Sequence, residues 1–338
     1  MSIIDKSDIQ KTLRILSPAI DKNPNILGSN CVAFSNKKAY AFNEWLGIVI
    51  DTPYEIEATI EATNLPMLLG NYVSNEVEVE KTGNQVQFKI GRGKFSLPMT
   101  DVPLLSRFHS IIPCETWFKC IPPVFTKGLN LCTIQNGPVT GIYINGSDML
   151  SCRTGICRFT FDGQVEKFRI SNKAAQVVAS HNVKELMVLP TWVIFRTEAC
   201  DLYVRRLYDE DYPSSSFLMF TDGVAEGNTL CSFEFHPHLL SVLETAITMQ
   251  DSHLDKVSMT FTDNEIAVSV NGRGGMFNDA VDVECTLHTD TLVVDVNVVA
   301  LMPILKKGIT EVCIIEYDNS LVMKLCVDDS FAYYEKIK

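Results

Sequence analysis

GRGKFSLPMTDVP, Gly91 to Pro103, is the stretch on which the reading of the fold turns. Two glycines interleaved with two cations have the look of a loop that cradles phosphate, because backbone N–H groups approach an anion most closely where side chains are absent. A phosphate-binding loop of that kind needs Lys followed by Ser or Thr at the start of a helix. Here Lys94 is followed by Phe95 and no helical pattern begins. The run reads as a strand that ends in a proline turn. Phe88 and Ile90 fall on one strand face, whereas Phe95, Leu97 and Met99 fall on the other. A face switch across Gly91 and Gly93 is what a bulge or kink produces, since one extra residue reverses the alternation. The expectation is a bent strand able to serve two partners.

The 338 residues suffice for two or three domains, and an apolar fraction of 46% supplies ample core. A formal charge of −12 argues against retention on nucleic acid by overall attraction, though it leaves room for local basic surfaces. No apolar run approaches the length of a membrane span, and MSIIDKSDIQ carries acids where a signal peptide would be basic. A soluble, cytoplasmic protein is expected. Eleven cysteines, scattered without a CxxC, fit reduced thiols used as small core hydrophobes, with no disulfides.

Working outward, helical patterns recur at about one domain length. DKSDIQKTLRIL from Asp5, IPPVFTKGLNL from Ile121 and FHPHLLSVLETAI from Phe235 set apolar residues at three- and four-residue spacing. A second series, EATNLPMLLGNYV from Glu61, SNKAAQVVASHNV from Ser171 and DVNVVALMPILKKG from Asp295, falls midway through each interval. Between them lie alternating stretches such as VEVEKTGNQVQFKI, KVSMTFTDNEIAVSV and EVCIIEYDNSLVMKL, with TGN, TDN and YDN as hairpin turns. KFSLPMTDVP and VRRLYDEDYP close the first two copies alike, from a basic strand through an acidic turn to a proline. Each third of the chain thus reads as a doubled helix-plus-antiparallel-strands unit, and internal duplication is the preferred account.

With those pieces in that order, and with NILGSN, RTGICRF and SFAYYEKIK, the whole chain resembles the bacterial sliding clamp family, the beta subunit of replicative DNA polymerase III. The resemblance implies an α+β fold of three repeated clamp domains, 1–112, 113–222 and 223–338, each a duplicated helix-plus-antiparallel-sheet unit. In that family two subunits close head to tail into a ring with helices lining the hole. The implied function is that of a processivity factor without catalytic activity, cofactor or metal, which encircles duplex DNA and tethers the polymerase. Its implied partners are double-stranded DNA, held topologically and without regard to sequence, the replicative polymerase, a clamp loader and a second copy of the chain, with no membrane. Its implied place is the bacterial cytoplasm, or that of an infected host if a phage encodes it.

The resemblance also carries residues. Phe95 and Leu97 match apolar dimer-interface positions, and Met249 matches a position facing them; the alternative is that Phe95 and Leu97 complete their own domain's core. For the cleft that takes partner peptides, Thr154, Arg158 and Phe159 match one wall with Val139 nearby, Pro213, Phe217 and Leu218 the linker wall, and Tyr334 and Lys336 the C-terminal edge. There too, completion of domain cores is the alternative. The sequence departs from the family where an aliphatic, methionine-rich C-terminus has become YYEKIK, and where Phe217 stands in a commonly basic position. Such divergence suits a clamp encoded by a phage or plasmid. Candidates for the DNA-facing lining are Lys11, Arg14, Lys22, Lys127, Lys173, Lys306 and Lys307, with no cation on the helix from Glu61.

Other signals carry less. His236 and His238 could begin a metal site but lack a third ligand, and Cys152 and Cys157 lack metal spacing. NGRGG at Asn271 reads as a turn between strands, and DEDY, without an EF-hand pattern, as an exposed turn. The competing class is a duplicated cytoplasmic hydrolase or transferase with a site between domains, which predicts a convergent polar site in one cleft.

Overall fold

The computed structural model describes residues 2–111, 118–133, 141–152, 154–208, 213–249, 256–272 and 275–338. In chain order the elements are β1 (Ser2–Asp5), α1 (Lys6–Leu16), β2 (Cys31–Ser35), β3 (Lys38–Phe42), β4 (Leu46–Asp51), β5 (Ala58–Glu61), α2 (Leu65–Gly70), β6 (Glu76–Thr82), β7 (Gln85–Ile90), β8 (Gly93–Pro98) and α3 (Leu104–Ile111). Next come β9 (Lys119–Cys120), α4 (Phe125–Cys132), β10 (Gly141–Cys152), β11 (Ile156–Ser171), α5 (Asn172–Ala179), β12 (Val183–Val188), β13 (Trp192–Thr197), β14 (Cys200–Arg205) and α6 (Ser214–Ala225). The chain ends through β15 (Asn228–Glu234), α7 (Pro237–Thr248), β16 (Val257–Thr262), β17 (Glu265–Gly272), β18 (Gly275–Asp282), β19 (Cys285–Leu287), β20 (Leu292–Val296), α8 (Val298–Leu305), β21 (Glu311–Tyr317), β22 (Ser320–Asp328) and β23 (Phe331–Ile337).

The chain divides into two compact units, Met1–Thr126 with Val177–Leu207, and Lys127–Gln176 with Tyr208–Lys338. The first unit holds a four-stranded sheet ordered β1-β6-β7-β8 and an eight-stranded sheet ordered β5-β2-β3-β4-β14-β13-β12-β9. In the larger sheet β4 pairs with β14, Ile48 opposite Leu202, which joins strands far apart in sequence. The second unit holds a seven-stranded sheet, β10-β11-β23-β22-β21-β15-β19, and a four-stranded one, β18-β17-β16-β20. Its equivalent long-range seam is β11 with β23, where Arg158 faces Ala332. Every strand pairing is antiparallel, so the α+β class expected from sequence is the class observed.

Local chemistry explains the elements. In β17 the alternation buries Ile266, Val268 and Val270 on one face, as a half-buried strand requires. The YDN hairpin closes through Asp318 and Asn319, both left-handed at φ 46 and 54, which short polar side chains tolerate. Helix α1 begins at Asp5, whose carboxylate accepts from the Ser7 N–H at 2.7 Å, and buries Ile9, Leu13 and Leu16 at helical spacing. Truncating Leu13, 2% exposed, to Ala would cost about 2–5 kcal/mol. All six helices expected from periodicity are present.

Two expectations are corrected. Gly91 does not kink a continuous strand: it takes φ 57 in a two-residue reversal between β7 and β8, with Ile90 opposite Gly93 and Phe88 opposite Phe95. β8 is consequently the edge strand of its sheet. The second correction concerns the proline turns, each of which opens a helix: the one after Pro103 was not expected, and the one after Pro213 was read as linker. α3 follows Pro103 and α6 follows Pro213, each lying on the face of one large sheet. The DEDY turn lies outside the described residues, as do Arg273 and Gly274 of NGRGG; Gly272 pairs with Gly275 across that gap. The ten described cysteines are all free, and no described helix is long and apolar enough to cross a membrane.

Candidate functional site

Of the cleft residues, Arg158, Phe217, Leu218 and Tyr334 gather on one face of the seven-stranded sheet, where α6 packs. Alternation sends Leu150 and Arg158, paired across β10 and β11, to that face. Tyr143 and Leu150 are buried there under Phe217 and Leu218 of α6. Further along α6, Phe220 and Val224 pack on Ile315, Val322 and Tyr334, with the Tyr317 ring 5.8 Å from Phe220 in an edge-on arrangement. Gly223 allows this approach, since a Cβ there would collide with the Tyr317 ring. Lys336, exposed, holds its ammonium 5.6 Å above the Phe220 ring. Pro213 is exposed at the helix start, where its carbonyl accepts from Phe217 N–H at 3.0 Å.

Arg158 joins the sheet to the helix. Its Nε donates to Asp148 at 2.9 Å, and its terminal nitrogen donates to the Thr221 hydroxyl at 2.9 Å and to Asp222. Burial works against the charge, but the hydrogen bonds to Asp222 and Asp148 more than offset it, so the guanidinium holds its proton more tightly than usual. Beside it Tyr334 is 6% exposed, and burial pushes its phenol up to about 12. A cavity of about 330 Å³ opens next to this pair, floored by Lys324, Cys326 and Ala332 and rimmed by Glu311, Asp328 and Asp329. It is polar where an apolar anchor would need grease.

Two cleft expectations change. Phe159 faces the opposite side of β11 from Arg158, is 1% exposed, and presses on Gly128 of α4 so closely that a Cβ there would clash. It belongs to the core and is not a cleft wall. Thr154 lies at the β10–β11 turn with its hydroxyl 3.4 Å from the Tyr333 hydroxyl. Val139 lies outside the described residues. Sequence reading missed Tyr143, Leu150, Phe220 and Thr221; a helix of period 3.6 from Ser214 would have pointed to the last two.

At the proposed seam, Phe95 and Leu97 are half-buried on β8. The Phe95 ring stacks on Phe88 at 5.0 Å and faces Tyr72 at 6.2 Å, so one side is used within its own sheet while the strand edge stays open. Met249, 37% exposed, ends α7, which packs against β17 and the edge strand β18.

Among the cations, Lys11 and Arg14 are exposed one turn apart on α1, and Lys22 is exposed in the loop beyond it. Lys127 on α4 pairs with Asp328, and Lys306 pairs with Glu244 of α7 at 2.7 Å. Lys307 donates to Asn130 of α4 at 3.3 Å, and Lys173 is exposed on α5. His236 caps α7, its Nδ1 accepting from His238 N–H at 3.2 Å. No group of three metal-capable side chains occurs among the described residues.

No family model matches the sequence, and no curated protein matches it. Solved structures do. The DNA polymerase III beta chain of Streptococcus pneumoniae TIGR4 superposes with a TM-score of 0.82 at 15% identity, over 99% of this chain and 98% of that one. The beta subunit from DNA polymerase of Streptococcus pyogenes gives 0.81 at 16% identity, over 99% of each chain. The DNA polymerase sliding clamp of Bacillus subtilis gives 0.80 at 13% identity, over 99% of this chain and 98% of that one. The chain has the fold of these beta subunits.

Proposed function

We propose that this chain is a DNA sliding clamp, a processivity factor that closes as a head-to-tail homodimer around duplex DNA in the cytoplasm. The observation that carries the reading is the likeness of fold to polymerase beta subunits over 99% of the chain. The comparisons lend no support to the hydrolase or transferase alternative. On this reading the chain is three duplicated domains, 1–112, 113–222 and 223–338, loaded by a clamp loader and holding the replicative polymerase by a peptide docked beneath α6.

Three features support it. The edge strand β8 bears Lys94, and the edge strand β18 bears Asp279 and Asp282, so the two open edges have opposite charge and can pair between copies, with Phe95, Leu97 and Met249 at the seam. The cations assigned to the hole are few and partly neutralised by Glu244 and Asp328, which suits weak, sequence-independent phosphate contacts. The net charge of −12 then calls for retention by enclosure and not by attraction.

The test loads labelled protein onto nicked circular DNA with its loader, then linearises the circle and follows retention on a sizing column. Retention on the circle and release from the linear product is the expected result. Equal retention on both would replace enclosure by contact-driven binding.

A further inference from the structure

The two open edges, β8 and β18, present the same alternate set of residues. β8 meets β7 through a two-residue reversal that sets Ile90 opposite Gly93, so Gly93, Phe95 and Leu97 direct their backbone groups at β7, and the Met99 N–H continues the series to the Asn84 carbonyl at 2.9 Å. Lys94, Ser96 and Pro98 therefore aim theirs at the open side. That open stretch is short, because Pro98 has no N–H and the Thr100 N–H is already bonded to the Thr59 carbonyl at 2.9 Å. On β18 the odd positions bond to β17 in the same way, a series that the Val283 N–H continues to the Asn264 carbonyl at 3.1 Å. Met276, Asn278, Ala280 and Asp282 are left at its open side.

Side chains sort by the same parity. Lys94 stands on the face away from Phe95 and Leu97, and Asp282 on the face away from Phe277 and Val281. Lys94 faces a like charge across the hairpin, Lys89, which Glu78 already engages at 2.9 Å. Among the described residues none of Arg92, Lys94, Asp282 and Glu284 makes an ion pair, and all four are exposed. Antiparallel pairing of β8 with β18 of a second copy matches both Lys94 and Ser96 to residues of β18 in three registers. One of them alone sets Lys94 against an acid: Lys94 opposite Asp282, Ser96 opposite Ala280, with Arg92 brought to Glu284. On the apolar face that register puts Phe95 opposite Val281 and Leu97 opposite Asp279.

Asp279 breaks the sorting. It adds to the acidity of the edge but stands on the apolar face, in the alternate of Phe277 and Val281 and opposite Val268, which is 1% exposed. Its carboxylate also accepts from the Ala280 N–H at 2.9 Å, one of the donors that the joint needs. An inward-pointing charge and a side chain that holds an edge donor both act against strand pairing. We propose that Asp279 keeps the joint between two copies openable, an inference that rests on the reading that copies pair β8 with β18. Closing the joint moves the Ala280 N–H from the carboxylate to the Ser96 carbonyl and leaves the charge beside Leu97 with little water. Opposite charges on one face align the strands, and the acid on the other face limits how tightly they hold. A ring that must open to admit DNA needs a joint of that kind.

The experiment measures the dimer dissociation constant of the full chain by sedimentation velocity, and subunit exchange by energy transfer between copies carrying donor and acceptor dyes. Asp279→Asn removes the charge and keeps an oxygen for the Ala280 N–H, whereas Asp279→Leu removes both. The expected result is a dissociation constant about tenfold lower in the first and lower still in the second, with exchange slowed in proportion. A charge swap reads the register: Lys94→Glu should weaken the dimer about tenfold, and adding Asp282→Lys should restore it. A dimer that Asp279→Asn leaves unchanged or weakens overturns the proposal and leaves the dimer itself in place. So does a Lys94→Glu defect that is absent or that Asp282→Lys does not repair, since another register moves Asp279 away from Leu97. If parent and variants stay monomeric at every concentration, the pairing of β8 with β18 fails, and the inference falls with it.

Discussion

Arg158 on β11 reaches Asp222 on α6, and the same guanidinium holds Asp148 on β10 at 2.9 Å. One side chain thereby fixes the helix to the sheet at the point where Phe217 and Leu218 cover Tyr143 and Leu150. Arg158→Met should leave Asp148, whose side chain is 19% exposed, without its counter-ion. A charge-assisted hydrogen bond is worth about 1.5–3 kcal/mol, and the 64% exposure of Asp222 reduces its share, so a loss of about 2 kcal/mol is expected. Hydrogen exchange checks the mechanism: amides of α6 should exchange faster in the variant, with those of α3 unchanged. Equal protection of α6 would mean that Phe220 and Val224 hold it alone.

The open edge of β8 gives a second prediction. If the chain dimerises through β8 as proposed, Leu97→Glu should give a folded monomer, because a charge buried without a partner at a packed seam costs roughly 3 kcal/mol, about a hundredfold in dissociation constant. Leu97 is a better probe than Phe95, whose ring already stacks on Phe88 within its own sheet. Met249→Glu should act in the same direction from the other side. Sedimentation velocity at matched concentrations distinguishes the outcomes, and an unchanged dimer in both variants would remove β8 from the interface.

Ion pairing ranks the cations that the proposed function assigns to the lining. Lys127 and Lys306 are already engaged by Asp328 and Glu244, whereas Lys11 and Arg14 are exposed one turn apart on α1. Double charge reversal at Lys11 and Arg14 should therefore weaken residual binding to short linear duplex more than reversal at Lys127 and Lys306, and should flatten its salt dependence. Dimerisation should be untouched. A larger effect from the paired lysines would mean that those pairs open on DNA.

How much of this was legible beforehand follows from the physics of each signal. The YDN hairpin was readable because Asp and Asn tolerate the left-handed backbone seen at Asp318 and Asn319, and the TDN hairpin because Asp and Asn favour turns, closing between Thr262 and Glu265. The reversal at Gly91 was misread because a two-residue hairpin swaps parity just as a bulge does: Phe88 pairs with Phe95, an even position with an odd one, so both devices move the apolar set to the other alternate. Helix α6 was hidden because Ser214, Ser215 and Ser216 have weak helical preference, and packing by Thr221 and Val224 overrides it. Phe159 was assigned to the same wall as Arg158 by family resemblance, yet neighbours on a strand face opposite ways. The groove beside α3, lined by Tyr40, Phe108 and Tyr203, could not be read at all, since it joins residues from five separate strands and one helix.

The pH dependence of stability should carry two opposing contributions in the second unit. Burial raises the Glu335 carboxyl above its ordinary 4.5, against a hydrogen bond from the Tyr333 hydroxyl. A raised folded value means that the native state binds the proton more tightly than the unfolded chain does. The associated stability is therefore complete below about 4.5 and is lost as pH rises through the folded value. Asp328 behaves in the other sense. Burial works to raise it, but the hydrogen bonds from Lys127 and from the Ser330 and Phe331 N–H groups outweigh burial and hold it below 3.8. Its stability is present above 3.8 and is lost as pH falls through the folded value. Glu335→Gln should accordingly flatten the decline on the neutral side, and Asp328→Asn should flatten the decline on the acid side while its side-chain oxygen still accepts from both N–H groups. Urea unfolding between about pH 3 and about pH 8 resolves the two slopes. If Glu335→Gln keeps the parent slope above pH 4.5, Glu335 is not the group that loses stability there, and its contact with Tyr333 must survive ionisation.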